Sequence, residues 1–410
     1  MTATALPRGG PEGAPSPAVA PPPGNPRFAL FDSLRAIAVL CIIAFHVGSV
    51  TGELNKRVIG DTLAVLGNEA LILFFAVSGF LLYRPYVAAR AAGRKLPSTA
   101  RYARRRVLRI VPAYWTALTL LAVFPGIVGV FSHDWWRYYF FLQLYSHRTL
   151  GGGIPVAWSL CVEVTFYAAL PLWALAMRRM RGDWLRTELV SLATVALVGI
   201  AIQVAAARQA VSYLLAQSLL GECTWIALGM ALAVTSVAVQ RADREPALVR
   251  LVVRHAGLLW VGAGACLVGL TALLHPGGLL NIIVALRTEQ SIARTLAGIV
   301  LTAALVTLLV LPAIFGERAG GLPRRLLTWR PVAWLGLVSY GVYLWHLAVV
   351  ELLGLRADPA HFSASGLGLV DKIHHATTPV LFVLALGASA ALAAVSYYAV
   401  ELPFLRRKEA

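Results

Sequence analysis

Apolar positions along most of this chain do not alternate with polar ones. They run on for twenty residues or so, stop at a short polar stretch, and resume. A helix crosses the hydrocarbon core of a bilayer in about 20 apolar residues. Ten runs reach that length, at roughly 29–50, 63–83, 107–130, 156–177, 187–207, 211–236, 256–274, 293–315, 332–354 and 377–400. Helices satisfy their own backbone polar groups in lipid. The expected fold is therefore all-α, a polytopic membrane bundle of about ten transmembrane helices. Residues 1–27 break the pattern: they hold 8 of the 22 prolines and few large apolar side chains. Such a stretch buries too little to offset its ordering entropy and reads as a disordered Pro/Ala/Gly-rich tail. It has no apolar h-region, and no small-residue cleavage site follows the run that begins at Phe28. That run is expected to be a retained first helix rather than a signal peptide.

Composition sharpens this. Of 410 residues, 59% are hydrophobic and 13% charged, with mean hydropathy +0.72. Soluble domains carry about 25% charged residues, so soluble globular, disordered and coiled-coil classes are excluded. The four cysteines all lie in apolar runs, where packing is their ordinary role. The net charge of +17 would point to nucleic acid in a soluble protein. Here its distribution decides. With the N-terminus in the cytoplasm and the helices alternating, 26 Lys and Arg fall on the inner side, 9 on the outer, and Arg35 inside a span. By the positive-inside rule both termini are cytoplasmic, in a multi-pass protein of the cell membrane, and no nucleic-acid partner is needed. The outer stretch FSHDWWRYYFFLQLYSH (131–147) is dense in aromatics, which favour the headgroup level, and is expected to lie along the outer surface. GGGIP (151–155) turns the chain back into the fourth helix.

Ionisable residues inside hydrocarbon are costly and mark function by default. They are Arg35, His46, Glu69, Glu163, Glu222, His346 and Glu351, with Asp32 and Glu401 at inner helix ends. Arg35 and His46 are 11 residues apart, which is three turns plus about 20°, so they share one helix face about 16 Å apart along the axis. Glu163 lies at a depth similar to His46. It either orients the imidazole, as a catalytic carboxylate does, or bridges two helices. The segment 84–109 holds nine Lys and Arg and no acid. Arg106 and Arg109 are one turn apart at the expected start of the third helix, where guanidinium forks and free backbone N–H groups suit phosphate. The other reading is topology alone, with arginines reaching to anionic lipid heads. Ser78 and Gly79 permit close helix approach. Tyr340, Tyr343 and His346 recur at three-residue spacing, lining a cavity or forming a packing stripe. No CxxC, HExxH, P-loop or dinucleotide fingerprint is present, and the outer pair His374–His375 alone does not define a metal site. No metal or permanently bound cofactor is expected.

These motifs together resemble the acyltransferase 3 family of integral-membrane acyltransferases. The resemblance rests on FDSLRAIAVLCIIAFH (31–46), FFAVSGFLLYR (74–84), RRRVLRIVPAYW (104–115) and WSLCVEVTFY (158–167), with SYGVYLWH (339–346) and VELPF (400–404) in support. It implies transfer of an acyl group, acetyl above all, from acyl-CoA in the cytoplasm to a hydroxyl. The acceptor would be a carbohydrate, a cell-envelope glycan or a macrolide-type natural product. By resemblance His46 is the catalytic base, with Glu163 beside it. Arg35, Arg84, Arg106, Arg109 and Tyr114 face the donor; Ser78, Trp158, Tyr340, Tyr343 and His346 face substrate. The implied domain is 28–404, followed by a short basic tail, 405–410. Three positions depart from the family pattern: Val164 and Thr165 follow Glu163 where many members have E-Q, and Leu402 stands where E-R-P has its arginine. No hydrolase-like domain follows the last helix, so the membrane domain finishes the transfer or passes the group to a separate protein. The outer loops 131–155 and 356–376 are expected to shape acceptor entry. The rival expectation is a proton-coupled transporter with a buried His/Arg/Glu relay, although the Gly/Pro-broken helix pairs common in such folds are not evident.

Overall fold

A computed structural model describes residues 28–274, 289–315, 322–354 and 377–406. The N-terminal tail, the loop 356–376 with its three histidines, and residues 407–410 lie outside these. Among the described residues there are helices and no strand. The long ones are α1 (Ala29–Val50), α2 (Arg57–Ala91) and α3 (Thr99–Val123). After the short α4 (Trp135–Tyr139) come α5 (Trp158–Arg179) and α6 (Trp184–Ala207). The short α7 (Tyr213–Ala216) leads into α8 (Leu219–Gln240), then α9 (Ala247–Leu274) and α10 (Ile292–Phe315). The chain ends with α11 (Leu322–Leu327), α12 (Arg330–Leu337), α13 (Ser339–Gly354), α14 (Thr378–Ser396), a π-turn at Tyr397–Glu401 and α15 (Leu402–Arg406). Nine spans among the described residues are long and apolar enough to cross a membrane, and α12 with α13, bent by 76°, completes a tenth. The bundle is thus an all-α polytopic membrane fold. Helix ends alternate between two sides. The side with the start of α1 and the α2–α3 turn is called the basic end below, and the opposite side the far end.

Three local features differ from the pattern of apolar runs. The apolar run at 332–354 is one stretch in sequence, yet the chain breaks at Val338 between α12 and α13. The third helix begins at Thr99, not near Val107. Ser98 caps it, its Oγ accepting the Arg101 N–H at 3.4 Å. Arg106 and Arg109 therefore stand two to three turns inside the helix. Their backbone N–H groups are part of the intrahelical ladder, which removes the helix-terminus part of the phosphate argument and leaves the guanidiniums. The expected tail boundary at 404 falls inside α15.

Apolar side chains gain little by leaving lipid for one another, so close packing and polar contacts hold such bundles. The α2–α8 crossing is very close. A Cβ on Gly229 would come within 1.9 Å of the Ala76 carbonyl oxygen, and one on Gly79 within 2.4 Å of that of Ile226. Polar bolts reinforce the basic end of this crossing. Arg84, fully buried, donates to Ser236 Oγ at 3.1 Å and to Gln240 Oε1 at 2.5 Å, and lies over the Phe28 ring. Beside it Glu188 of α6, also buried, accepts from Tyr83 at 2.5 Å and Arg90 at 2.7 Å. A second, smaller core joins α1 to α13 and α14 through Val39, Ile43, Val342, Val350 and Ala385. Side chains such as Leu172, Val261 and Val383 face outward, where lipid would meet them.

The aromatic segment after α3 is only half as expected. Trp135, Trp136 and Phe140 are exposed, but Tyr138, Phe141, Gln143 and Leu144 are buried in the bundle. Tyr114 of α3 anchors the segment: its hydroxyl donates to the Tyr138 carbonyl at 2.9 Å and accepts from Gln143 Nε2 at 3.2 Å.

Candidate active site

Two clusters lie along α1, one at each end of the face that carries Arg35 and His46. At the basic end Arg35 is gathered with Arg106 and Arg109 of α3. Its electrostatic neighbours are Arg109, Asp32, Glu163 and Tyr167. The Arg106 guanidinium sits 5.9 Å from the Tyr167 ring centroid. Glu163 is held from two directions: Oε1 accepts from Ser78 at 2.6 Å and Oε2 from Tyr167 at 2.7 Å. Glu401, on the π-turn, is 3% exposed and is an electrostatic neighbour of Arg109 and Arg35. The Nε atoms of Arg35 and Arg106 are buried without a hydrogen-bond partner. A buried cationic donor in that condition is costly unless something negative completes it. The cluster sets Arg35, Arg106 and Arg109 beside the carboxylates of Asp32, Glu163 and Glu401.

The second cluster borders a cavity of about 800 Å³ in the far-end half of the bundle. His46 from α1, Glu69 from α2, Trp158 and Ser159 from the start of α5, Thr302 from α10 and Tyr343 from α13 all line it. Its volume falls within the range of about 300–1,000 Å³ common for small-molecule sites. Tyr343 closes one wall, its hydroxyl bonded to the Val156 carbonyl and lying 2.8 Å from Ser159 Oγ.

The group facing His46 is His346, fully buried, its ring centroid 5.1 Å away and tilted by 51°. His346 Nδ1 lies 2.8 Å from the Tyr343 carbonyl and 3.2 Å from that of Val342. Carbonyl oxygens only accept, so Nδ1 carries the proton and Nε2 a bare lone pair. That Nε2 is buried without a partner. Glu163, expected beside the imidazole, instead bonds to Ser78 and Tyr167 and neighbours the arginines. Matching depth did not mean contact. The bridging reading of Glu163 fits its bonds, and Ser78 is its partner on α2.

The sequence-derived residues thus divide. Arg35, Arg106, Arg109 and Glu163 come together, as do His46, His346, Trp158 and Tyr343. Arg84 faces α8, Tyr114 holds the aromatic segment, and Tyr340 donates to the Ile110 carbonyl of α3 at 2.9 Å. Tyr167 and Glu69 were missed as site residues. Tyr167 carried a signal, lying one turn after Glu163 on the same helix face. Glu69 had been visible only as one ionisable residue in a span.

Among the described residues, an all-helical, membrane-type bundle places a cationic cluster and a histidine-bordered cavity along one helix face. The family model for the acyltransferase domain matches residues 28–398, and the chain belongs to that family. It is 21% identical over 350 residues to peptidoglycan O-acetyltransferase OatA of Listeria monocytogenes, an alignment covering 78% of this chain and 49% of that protein. The chain spans about half the length of this curated relative. No solved structure gives a significant match. Family membership favours acyl transfer over the transporter alternative.

Proposed function

We propose that the chain is an O-acyltransferase that takes an acyl group, acetyl in the first instance, from acyl-CoA at the basic end and passes it to a glycan hydroxyl in the far-end cavity. The observation that carries this reading is the pairing on α1 of a cationic cluster at Arg35 with a cavity at His46, about 16 Å along one helix face. Donor phosphates suit Arg106 and Arg109, and the partnerless Nε of Arg35 suits the next polar group along the donor. An extended pantetheine arm bridges such a distance. At the cavity His46 takes the proton of the acceptor hydroxyl. The oxygen attacks the thioester carbonyl, the C–S bond breaks, and the CoA sulfur leaves with the proton that His46 returns. His346, with its proton fixed on Nδ1, packs its ring against that of His46 and positions it. The basic end is the cytoplasmic one in this reading, as the charge distribution requires, and a glycan acceptor is the class named by the relative.

The test is thiol release from acetyl-CoA by the purified protein in nanodiscs with a glycan acceptor. His46→Ala, folded and inserted, is expected to abolish release; undiminished release overturns the reading. Arg106→Ala is expected to raise the donor KM by about tenfold or more, as loss of a charged hydrogen bond does.

A further inference from the structure

We infer that Glu69 and Gln217 form the acceptor subsite of the far-end cavity, and that the ligand they hold is a neutral, hydroxyl-rich sugar unit. The inference rests on the proposed reading of this cavity as the acceptor side. Glu69 is 4% exposed and lines the cavity together with His46. Both of its described hydrogen bonds converge on one oxygen: Oε1 accepts from Thr302 Oγ1 at 3.0 Å and from Asn68 Nδ2 at 3.1 Å. Oε2 is buried and has no partner. Gln217, in the same lining, repeats the condition, its Oε1 buried and without a partner. A buried acceptor left unmade is expensive. Two such acceptors on one cavity call for a ligand that brings hydrogen-bond donors.

The carboxylate is oriented before any ligand arrives. Thr302 reaches it from α10 and Asn68 from its own helix, so the acceptor geometry is set by a helix crossing rather than by a loop. Charge narrows the ligand class. An anionic acceptor would be opposed by Glu69, and a cationic one by Arg294, which also lines the cavity. A neutral polyol is opposed by neither, and donates to the carboxylate. Trp158 and Trp225, also in the lining, add flat apolar faces of the kind that fix orientation in largely apolar sites. Glu69 acts here as a positioning residue, holding the sugar while His46 takes the proton.

The experiment measures binding of N,N′-diacetylchitobiose to the full chain in nanodiscs by calorimetry, beside acetyl-CoA binding in the same preparations. Wild type is expected to bind the disaccharide saturably. Glu69→Gln, close in shape but presenting an amide donor in place of one oxygen, and Glu69→Ala should each weaken that binding by about tenfold or more. Thr302→Val, which frees the carboxylate to turn, should weaken it by several-fold. Acetyl-CoA affinity should be unchanged in all three. Wild type that does not bind the disaccharide overturns the inference. So do Glu69→Gln and Thr302→Val proteins that bind it as wild type does, and so does a parallel loss of acetyl-CoA affinity. The transfer reading fails differently: disaccharide binding that depends on Glu69, with no thiol release dependent on His46, overturns the transfer and leaves the subsite standing.

Discussion

At the scale of single residues, the arginines separate by what surrounds them. Arg84 is fully buried and supplies hydrogen bonds to Ser236 and Gln240. Its removal strands the buried Ser236 hydroxyl, at a cost of about 1–3 kcal/mol, and takes away the Gln240 bond. Arg84→Met is expected to lower the detergent melting temperature and the yield of folded protein. Arg106 has a partnerless Nε instead, so Arg106→Met should leave melting near wild type and weaken donor binding. Equal melting for both variants, with equal loss of donor affinity, would contradict this division. The two histidines separate in the same way. His346 does not itself line the cavity but packs on His46, which does, so His346→Asn is expected to lower kcat by about a hundredfold through misplacement of the His46 ring. The donor KM should stay as it was, and a rise in donor KM with kcat intact would count against the positioning role.

At the scale of elements, the α2–α8 crossing leaves no room for added volume. Gly229→Ala would drive a methyl into the Ala76 carbonyl. Overpacking of this kind costs about 1–3 kcal/mol, and the variant should lose thermal stability. Gly387 of α14 has open space around its Cβ position, so Gly387→Ala should melt at or above the wild-type temperature. The spans themselves were readable because each is a run of about 20 apolar residues, and that signal is local. The start of α3 was readable too, from Pro97-Ser98 ahead of Thr99, a capping signal hidden by the charge that follows it. The break at Val338 was not readable. The run from Pro331 to Leu353 is predominantly apolar, and hydropathy does not register a change in direction. The Arg35–His46 pair was legible from the period of one helix. The His346–His46 contact and the Thr302–Glu69 bond were not, because each joins helices far apart in sequence. Depth from the outer face placed Glu163 level with His46, but said nothing of rotation about the α5 axis.

At the scale of the whole molecule, the account requires two sides with different work. Arg94 at the α2–α3 turn and Val128 beyond α3 are both exposed, at opposite ends of α3. The four native cysteines are buried or half-buried. A maleimide that does not cross lipid should label Val128→Cys in intact cells, and Arg94→Cys only after the cells are opened. The reverse would invert the proposed direction of transfer. The central claim is that His46 joins a donor bound at the arginine end to an acceptor in the far-end cavity. It is tested most directly in proteoliposomes of fixed orientation, with radiolabelled acetyl-CoA confined to the arginine side and a glycan acceptor to the other. The account predicts labelled acceptor from wild type and none from inserted, folded His46→Ala. Equal labelling by the two, or labelling by wild type only when donor and acceptor share the far side, would contradict it.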